Sequence, residues 1–459
     1  MQDSPSLSRI LTDFVHNLVY DDLSAEVVHM TKALYLDWLG SALAGASAAP
    51  VAALRGFTDS MGPGDGPAQA LDRLSGTSAY FAAMLNAAAS HVVEQDDVHN
   101  GSVFHPATVV FPPLLALAQS RPVHGRDFIA AAVAGYETGI RVGEYLGRGH
   151  YRVFHTTGTA GTLAAAMACG KLMGLSADAL GHALGSAGTQ AAGLWEFLRT
   201  AAHSKQLHTA KAAADGMLAA SAASFGLTGA ARILDGEQGM NAGMLGEGRA
   251  GRILEGLGKP FGVLETSFKF HASCRHTHPS ADALLAIVTE HDLAPDDIAA
   301  VETHVYQAAI EVLGPVTDPR TVHQAKFSMG FVLALIAARR RAGVADFSDE
   351  TLADPLLRTL HDKVRMVLDR EIDAAYPARW SARVIVTTTA GRRLAHTCEV
   401  PKGDPDNPLS NAEIEEKFAR LAALHEAVDD DTARRLVESA WRLDELDDAG
   451  AAFRIARPR

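Results

Sequence analysis

The sequence predicts a mainly α protein, with a large all-helical domain joined to a smaller α+β domain. Three observations predict it. From about residue 6 to 265, segments rich in Ala, Leu, Val and Met follow one another at helical spacing, with few β-branched runs. The character changes near Lys269, after which β-branched, partly alternating segments occur at 298–307, 382–389 and 392–400. Helical patterning returns beyond 403. The expected division is therefore a helical domain over 1–268, an α+β domain over 269–402, and C-terminal helices over 403–459 that return to the first domain.

The elements follow in order. Amphipathic helices are predicted over 6–19 and 25–44, and Ala-rich helices over 107–119, 125–146, 158–174 and 209–224. Alanine is the best helix former and lets helices approach closely. Gly62-Pro63-Gly64, Pro122 and Gly226 mark junctions. In the second domain, helices are predicted over 325–340 and 349–363, and Ala390-Gly391 is a plausible hairpin turn between the last two strands. Residues 403–408 form a linker or turn. Ser410 and Glu413 have capping-box spacing and open a helix through Leu421.

Composition excludes several classes. The 459 residues are 47% apolar and 21% charged, enough for a large core and not a disordered profile. The net charge of -13 and the lack of a strongly basic tract argue against nucleic acid as a partner. No apolar run reaches about 18 residues, so no membrane span is expected. Met1-Gln2-Asp3-Ser4-Pro5 lacks the pattern of a secretory leader. Cys169, Cys274 and Cys398 are far apart, which excludes a CxxC site and fits a reducing, cytoplasmic compartment.

Two stretches carry the chemistry. Residues 94–106 hold Glu94, Asp96, Asp97, His99 and His105 within a dozen or so positions. Residues 269–278 hold Lys269, His271, Cys274, Arg275, His276 and His278. Such groups are costly to bury unless they pair or work. Asp96 and Asp97 could orient a base or bind a cation, or they could merely cap a helix, with His105-Pro106 opening the next one. Lys269 and Arg275 could hold substrate carboxylates, and His271, His276, His278 or Cys274 could titrate.

Two further segments sit at helix starts. His155, within Phe154-His155-Thr156-Thr157-Gly158, could bind a carboxylate where backbone amides favour an anion, or be a satisfied core residue. Lys205 and His208 precede an Ala-rich helix and could lie on a solvated face. Tyr136-Glu137 and Trp195-Glu196 read as packing or supporting contacts. HExxH, GxxxxGK[ST] and a convincing strand-GxGxxG-helix are absent, so neither a metal nor a nucleotide cofactor is expected.

At these residues the chain resembles the MmgE/PrpD family. The pieces are Asp37-Trp38-Leu39-Gly40, the 94–106 block, Gly135-Tyr136-Glu137, Phe154-His155, Ser204-Lys205-Gln206-Leu207-His208, residues 269–278, Phe327-Ser328, Asn407-Pro408-Leu409-Ser410 and Lys417-Phe418. The resemblance implies a helical domain built from both chain ends plus an α+β lid, a homodimer, and cofactor-independent chemistry on small di- or tricarboxylates. Family activities include 2-methylcitrate dehydratase, cis-aconitate decarboxylase and iminodisuccinate epimerase. His105, His155, Lys205 and Lys269 match the family's site positions. Glu94 stands where decarboxylase-like members have aspartate, Val98 where they have threonine, Cys274 where a site histidine falls by simple counting, and Phe331 where they have tyrosine.

The expectation is a lyase, either dehydratase or decarboxylase. Lys205, Lys269 and Arg275 would hold carboxylates. His105 or His155 would move a proton, and Asp96 or Asp97 would fix the imidazole tautomer. His99 is a further catalytic candidate. Glu94, His208, Cys274 and His276 complete the expected substrate-binding set. The alternatives are an epimerase of a dicarboxylate and a non-catalytic carboxylate-binding protein.

Overall fold

The computed structural model describes residues 6–200 and 202–456. The expectation about a leader at 1–5 lies outside these residues. Two apolar cores account for most of the interior. One gathers side chains from 7–268 together with 409–455, and the other draws only on 272–398. The helical patterning beyond 403 thus packs against the N-terminal helices.

The first ten helices are α1 Leu7–Asn17, α2 Ala25–Gly45, α3 Ala49–Met61, α4 Ala79–Val92, α5 Ala107–Ser120, α6 Gly125–Tyr151, α7 Thr156–Leu172, α8 Ala177–Gln190, α9 Phe197–Thr200 and α10 Ser204–Ser224. Serines set several starts: Ser6, Ser24, Ser78 and Ser176 each accept a hydrogen bond from a first-turn amide. Helix α7 lies at the centre, packed by α5, α6, α8 and α10. Helix α2 corrects one expectation, because it is buried on nearly every side rather than amphipathic. Its outer face is covered by two C-terminal helices that local patterning could not reveal.

The helical region also contains two short antiparallel ladders. One pairs β1 Ala68–Ala70 with β2 Ser75–Thr77. The other pairs β3 Val98–His99 with β4 Thr266–Ser267 across a long stretch of sequence. The second ladder carries Lys269 to the 94–106 block.

In the second region the strands are β5 Ile298–Val305, β6 Val364–Leu368, β7 Ala382–Thr388 and β8 Arg393–Cys398, in the order β6-β5-β7-β8. β5 pairs parallel to β6 and antiparallel to β7. β6 was not foreseen. Its few residues follow a helix, and its periodicity alone does not separate strand from helix. The helix expected over 325–340 is two helices, Val322–Lys326 and Met329–Arg339, because Ser328 caps the second through Phe331 N (3.3 Å). The helix expected over 349–363 is also two, Asp349–Ala353 and Pro355–His361. Pro355 cannot donate an amide, and the Asp354 carboxylate caps Leu356 N at 2.9 Å.

The two crossings between the regions lie side by side: Phe268 N donates to Gly403 O at 2.9 Å. Gly403 has φ +95°, and a Cβ there would meet Phe268 O at 2.3 Å, so glycine is required. The Ser410–Glu413 capping box forms as expected and opens Asn411–Ala422. Among the described residues no helix is long and apolar enough to cross a membrane.

Candidate active site

Three helix starts and one helix end meet at the seam between the two regions. His105 precedes α5, His155 is the N-cap of α7, and Lys205 lies in the first turn of α10. The positive ends of these helices favour an anion between them. From the other side, α4 brings His91 in its last turn and stops at Val93. Glu94 follows with φ +57°, a left-handed position that glycine normally takes.

Glu94 is fully buried and carries two cations. Lys205 Nζ donates to Oε1, and Lys269 Nζ donates to Oε2 at 2.8 Å. The flanking carbonyls are held as well: Lys326 Nζ donates to Val93 O at 2.9 Å and Lys417 Nζ to Gln95 O at 2.8 Å. Lys417 also pairs with Asp37 at 2.6 Å, so two sequence-distant family pieces form one contact. Burial alone would raise the Glu94 carboxyl, but Lys205 and Lys269 more than offset this and hold it well below its usual range. Burial opposes the Lys269 ammonium, yet Glu94 and Asp96 raise it. Burial brings Lys326 down to about 8.

Asp96 organises the imidazoles. Its Oδ2 lies 2.6 Å from His91 Nδ1 and 3.3 Å from His105 Nδ1. Its Oδ1 accepts no hydrogen bond among the described residues, with Lys269 Nζ 3.7 Å away. His105 Nδ1 donates to Asp97 O at 2.6 Å, which leaves Nε2 as the free ring nitrogen. Asp97 itself is structural: Oδ1 accepts Ala107 N (3.0 Å), and Oδ2 accepts the Tyr136 hydroxyl (2.7 Å). The His91 ring lies 5.0 Å from His105 and 5.6 Å from His155. His155 Nδ1 faces His208 Nδ1 at 3.2 Å, while its buried Nε2 has no hydrogen-bond partner among the described residues. Burial holds His105 and His155 well below the ordinary imidazole range and His208 at about 4.

The remaining expected residues are placed differently. His99 turns away, with Nδ1 on Ser102 Oγ at 2.9 Å and Nε2 3.5 Å from Glu265. Arg275 is buried and donates to Asp404 in the 403–408 linker. His276 hydrogen-bonds the Tyr306 hydroxyl at 2.8 Å and stacks on Trp380 at 4.7 Å. Cys274 is buried beside the charged group, and burial with the Glu94 charge pushes its thiol up to about 11. Val98 and Phe331 are fully buried.

Sequence reasoning missed His91 and Lys326. The signal for His91 was its position three residues before Glu94 and five before Asp96. Lys326 directly precedes the Phe327-Ser328 pair.

His91, Asp96 and His105 have the spacing of a metal triad. The Lys269 ammonium beside Asp96 already supplies positive charge there, which disfavours a second cation. The arrangement suits moving protons near a held anion. A cavity of about 860 Å³ adjoins the site between the two regions, lined in part by Arg148, Arg152, Trp195, Arg199 and Glu311. Trp195 separates it from His155, their rings 4.8 Å apart.

The MmgE/PrpD N-terminal domain matches residues 9–252, and the MmgE/PrpD C-terminal domain matches 271–443. A cis-aconitate decarboxylase-like protein of Aspergillus oryzae is 28% identical, over 95% of this chain and 94% of its own. The cis-aconitate decarboxylase of Aspergillus terreus is 26% identical over 97% and 95%. That of Homo sapiens is 25% identical over 96% and 93%.

Proposed function

The chain belongs to the MmgE/PrpD family, and from that premise we propose that it is a lyase acting on a small di- or tricarboxylate by proton transfer next to a carboxylate. One observation carries this reading. Two lysine ammoniums share a buried space with His105, whose Nδ1 is held by Asp97 O and whose Nε2 is free.

The lysines bind carboxylates and stabilise the charge that develops on the substrate. His105 Nε2 takes or returns the proton, with Nδ1–H fixed by Asp97 O and Asp96. Burial keeps the imidazoles neutral while the site is empty. A substrate bringing two or three negative charges raises them again, so protonation of the acid is coupled to binding. Loss of carbon dioxide followed by protonation of carbon gives a decarboxylase, the activity of the relatives above. Loss of hydroxide gives a dehydratase.

A second reading, an epimerase, is favoured by His155. Its Nε2 has no partner among the described residues, and its ring, like that of His105, lies against His91, so the site offers a second imidazole for returning a proton to the same carbon.

In either reading, residues 269–402 act as a lid over a body made of 1–268 and 403–459. The enzyme is proposed to work without cofactor, as a cytoplasmic homodimer. Incubation with a polycarboxylate panel in deuterated water, followed by NMR, tests the assignment. A new alkene signal supports a lyase, exchange without elimination supports an epimerase, and binding without either leaves only a carboxylate-binding protein. Dialysis against chelator should leave turnover intact, and light scattering should give twice the chain mass.

A further inference from the structure

We propose that Glu94 is an internal carboxylate ligand of the Lys205–Lys269 clamp in the empty enzyme, and that a substrate carboxylate enters by displacing it. The inference rests on the carboxylate-lyase reading of this site and adds what selects the substrate.

Geometry supports it. Both Glu94 oxygens are engaged, one by each lysine, and all three side chains are almost fully buried. The two ammoniums suited to hold a substrate carboxylate are therefore already bridged by one from the chain itself. The bridge depends on backbone placement. Glu94 adopts a left-handed conformation just past the end of α4, where a residue with a Cβ is disfavoured. Lys326 and Lys417 fasten the carbonyls on either side of it, one from the lid and one from the C-terminal helix. Strain held in place by independent contacts from two regions is expected where the side chain has a task.

The remaining capacity of the site lies around the bridge. Among the described residues, Asp96 Oδ1, His91 Nε2 and His155 Nε2 are buried without hydrogen-bond partners. A bound molecule that donates to Asp96 Oδ1 and hydrogen-bonds the imidazole nitrogens would satisfy these atoms, while its carboxylate replaces that of Glu94 on the lysines. Displaced, Glu94 has the Lys326 ammonium on the neighbouring carbonyl as a cation to turn to. A single weak carboxylate competes poorly with a tethered one, because the tethered group is held at high effective concentration. A polycarboxylate with further polar contacts competes well. Glu94 thus acts as a filter for substrates bearing at least two anionic groups.

The test uses the full-length protein and propane-1,2,3-tricarboxylate, which lacks both an alkene and a hydroxyl leaving group. Calorimetry is expected to show Glu94→Gln binding this probe at least about ten-fold more tightly than the wild type, since the amide keeps the shape and removes the competing charge. Glu94→Asp, too short to bridge both lysines in the same way, should fall between the two and serves if the glutamine variant does not fold. A crystal structure of the wild type with the probe should place a probe carboxylate on Lys205 Nζ and Lys269 Nζ, with Glu94 moved away. Equal or weaker binding by both variants overturns the proposal. So does a complex in which Glu94 still bridges both lysines, or the absence of binding by every protein. If Lys205→Met and Lys269→Met leave wild-type affinity unchanged, the site itself has been misplaced, and the underlying reading falls with it.

Discussion

The 94–106 block and the 269–278 run look alike as sequence, each a dense patch of titratable groups, yet the protein uses them in opposite ways. In the first, hydrogen-bonding capacity is left open at the seam: among the described residues Asp96 Oδ1 has no hydrogen bond, and His105 Nδ1 is held by Asp97 O with Nε2 left over. In the second, most side chains are consumed by the lid and its linker. His271 is on Asp282 at 2.8 Å, Arg275 is on Asp404, and His276 lies between Tyr306 and Trp380. Only Lys269 reaches across to the Glu94 group, at 2.8 Å. Density of charge does not distinguish a site from a scaffold. Convergence does: Asp96 Oδ1, His91 Nε2 and His155 Nε2, all buried without hydrogen-bond partners among the described residues, gather beside the two lysines that hold Glu94.

The sharpest break of this comparison is at His105. His105→Gln is expected to lower kcat on the substrate found by the panel by a factor of about 10²–10⁴, the usual contribution of a positioned acid or base. Its thermal midpoint should move little. Full turnover by this variant would erase the distinction between the two stretches.

The next test is at Arg275. Removing one partner of a buried ion pair leaves the other charge uncompensated, so Arg275→Met is expected to cost about 3–5 kcal/mol in urea unfolding. The folded fraction should lose less turnover than Lys269→Met does. The opposite ranking would return Arg275 to the substrate clamp, where residue type alone had put it.

Much of this was legible in the sequence, and the limits have physical causes. The Ala-rich helices, the change near Lys269 and the Ser410–Glu413 cap follow from local periodicity and local hydrogen bonds. The burial of α2, the β3–β4 ladder and the parallel strand β6 depend on partners far along the chain. At the site, residue type and spacing marked Glu94, Asp96, His105, His155, Lys205 and Lys269, which do converge. They could not tell that Arg275 would find Asp404 or that His99 would face Glu265, since that is set by side-chain direction in the folded chain. His91 escaped notice because it belongs to a helix whose other residues are packing.

A smaller effect should appear in the pH dependence of stability. Burial holds His276 at about 3, whereas an unfolded chain titrates it near 6.5. Between these values the unfolded state binds the extra proton, so stability falls as pH drops from 6.5 towards 3 and does not change from this source above 6.5. His276→Phe removes that contribution. Urea midpoints across this range should fall less steeply for the variant, and parallel slopes would show that His276 is not held neutral in the lid.

The smallest expected effect sharpens the comparison from inside the first stretch. His99 sits between Asp97 and His105 in sequence, but β3 pairing with Thr266 turns it the other way. Its Nδ1 bonds Ser102 Oγ and accepts from Ser102 N at 3.2 Å, closing the turn before Phe104. Its Nε2 faces Glu265, which is partly exposed. Replacing it with Gln should therefore cost about 0.5–1.5 kcal/mol, the worth of an ordinary hydrogen bond, and leave kcat within a factor of a few. A loss of turnover as deep as that of His105→Gln, without loss of stability, would mean that the 94–106 block works as a continuous catalytic segment. The observed geometry argues for the other outcome: His99 closes the turn with Ser102 and faces Glu265, whereas His105 lies against Asp96 and the Asp97 carbonyl.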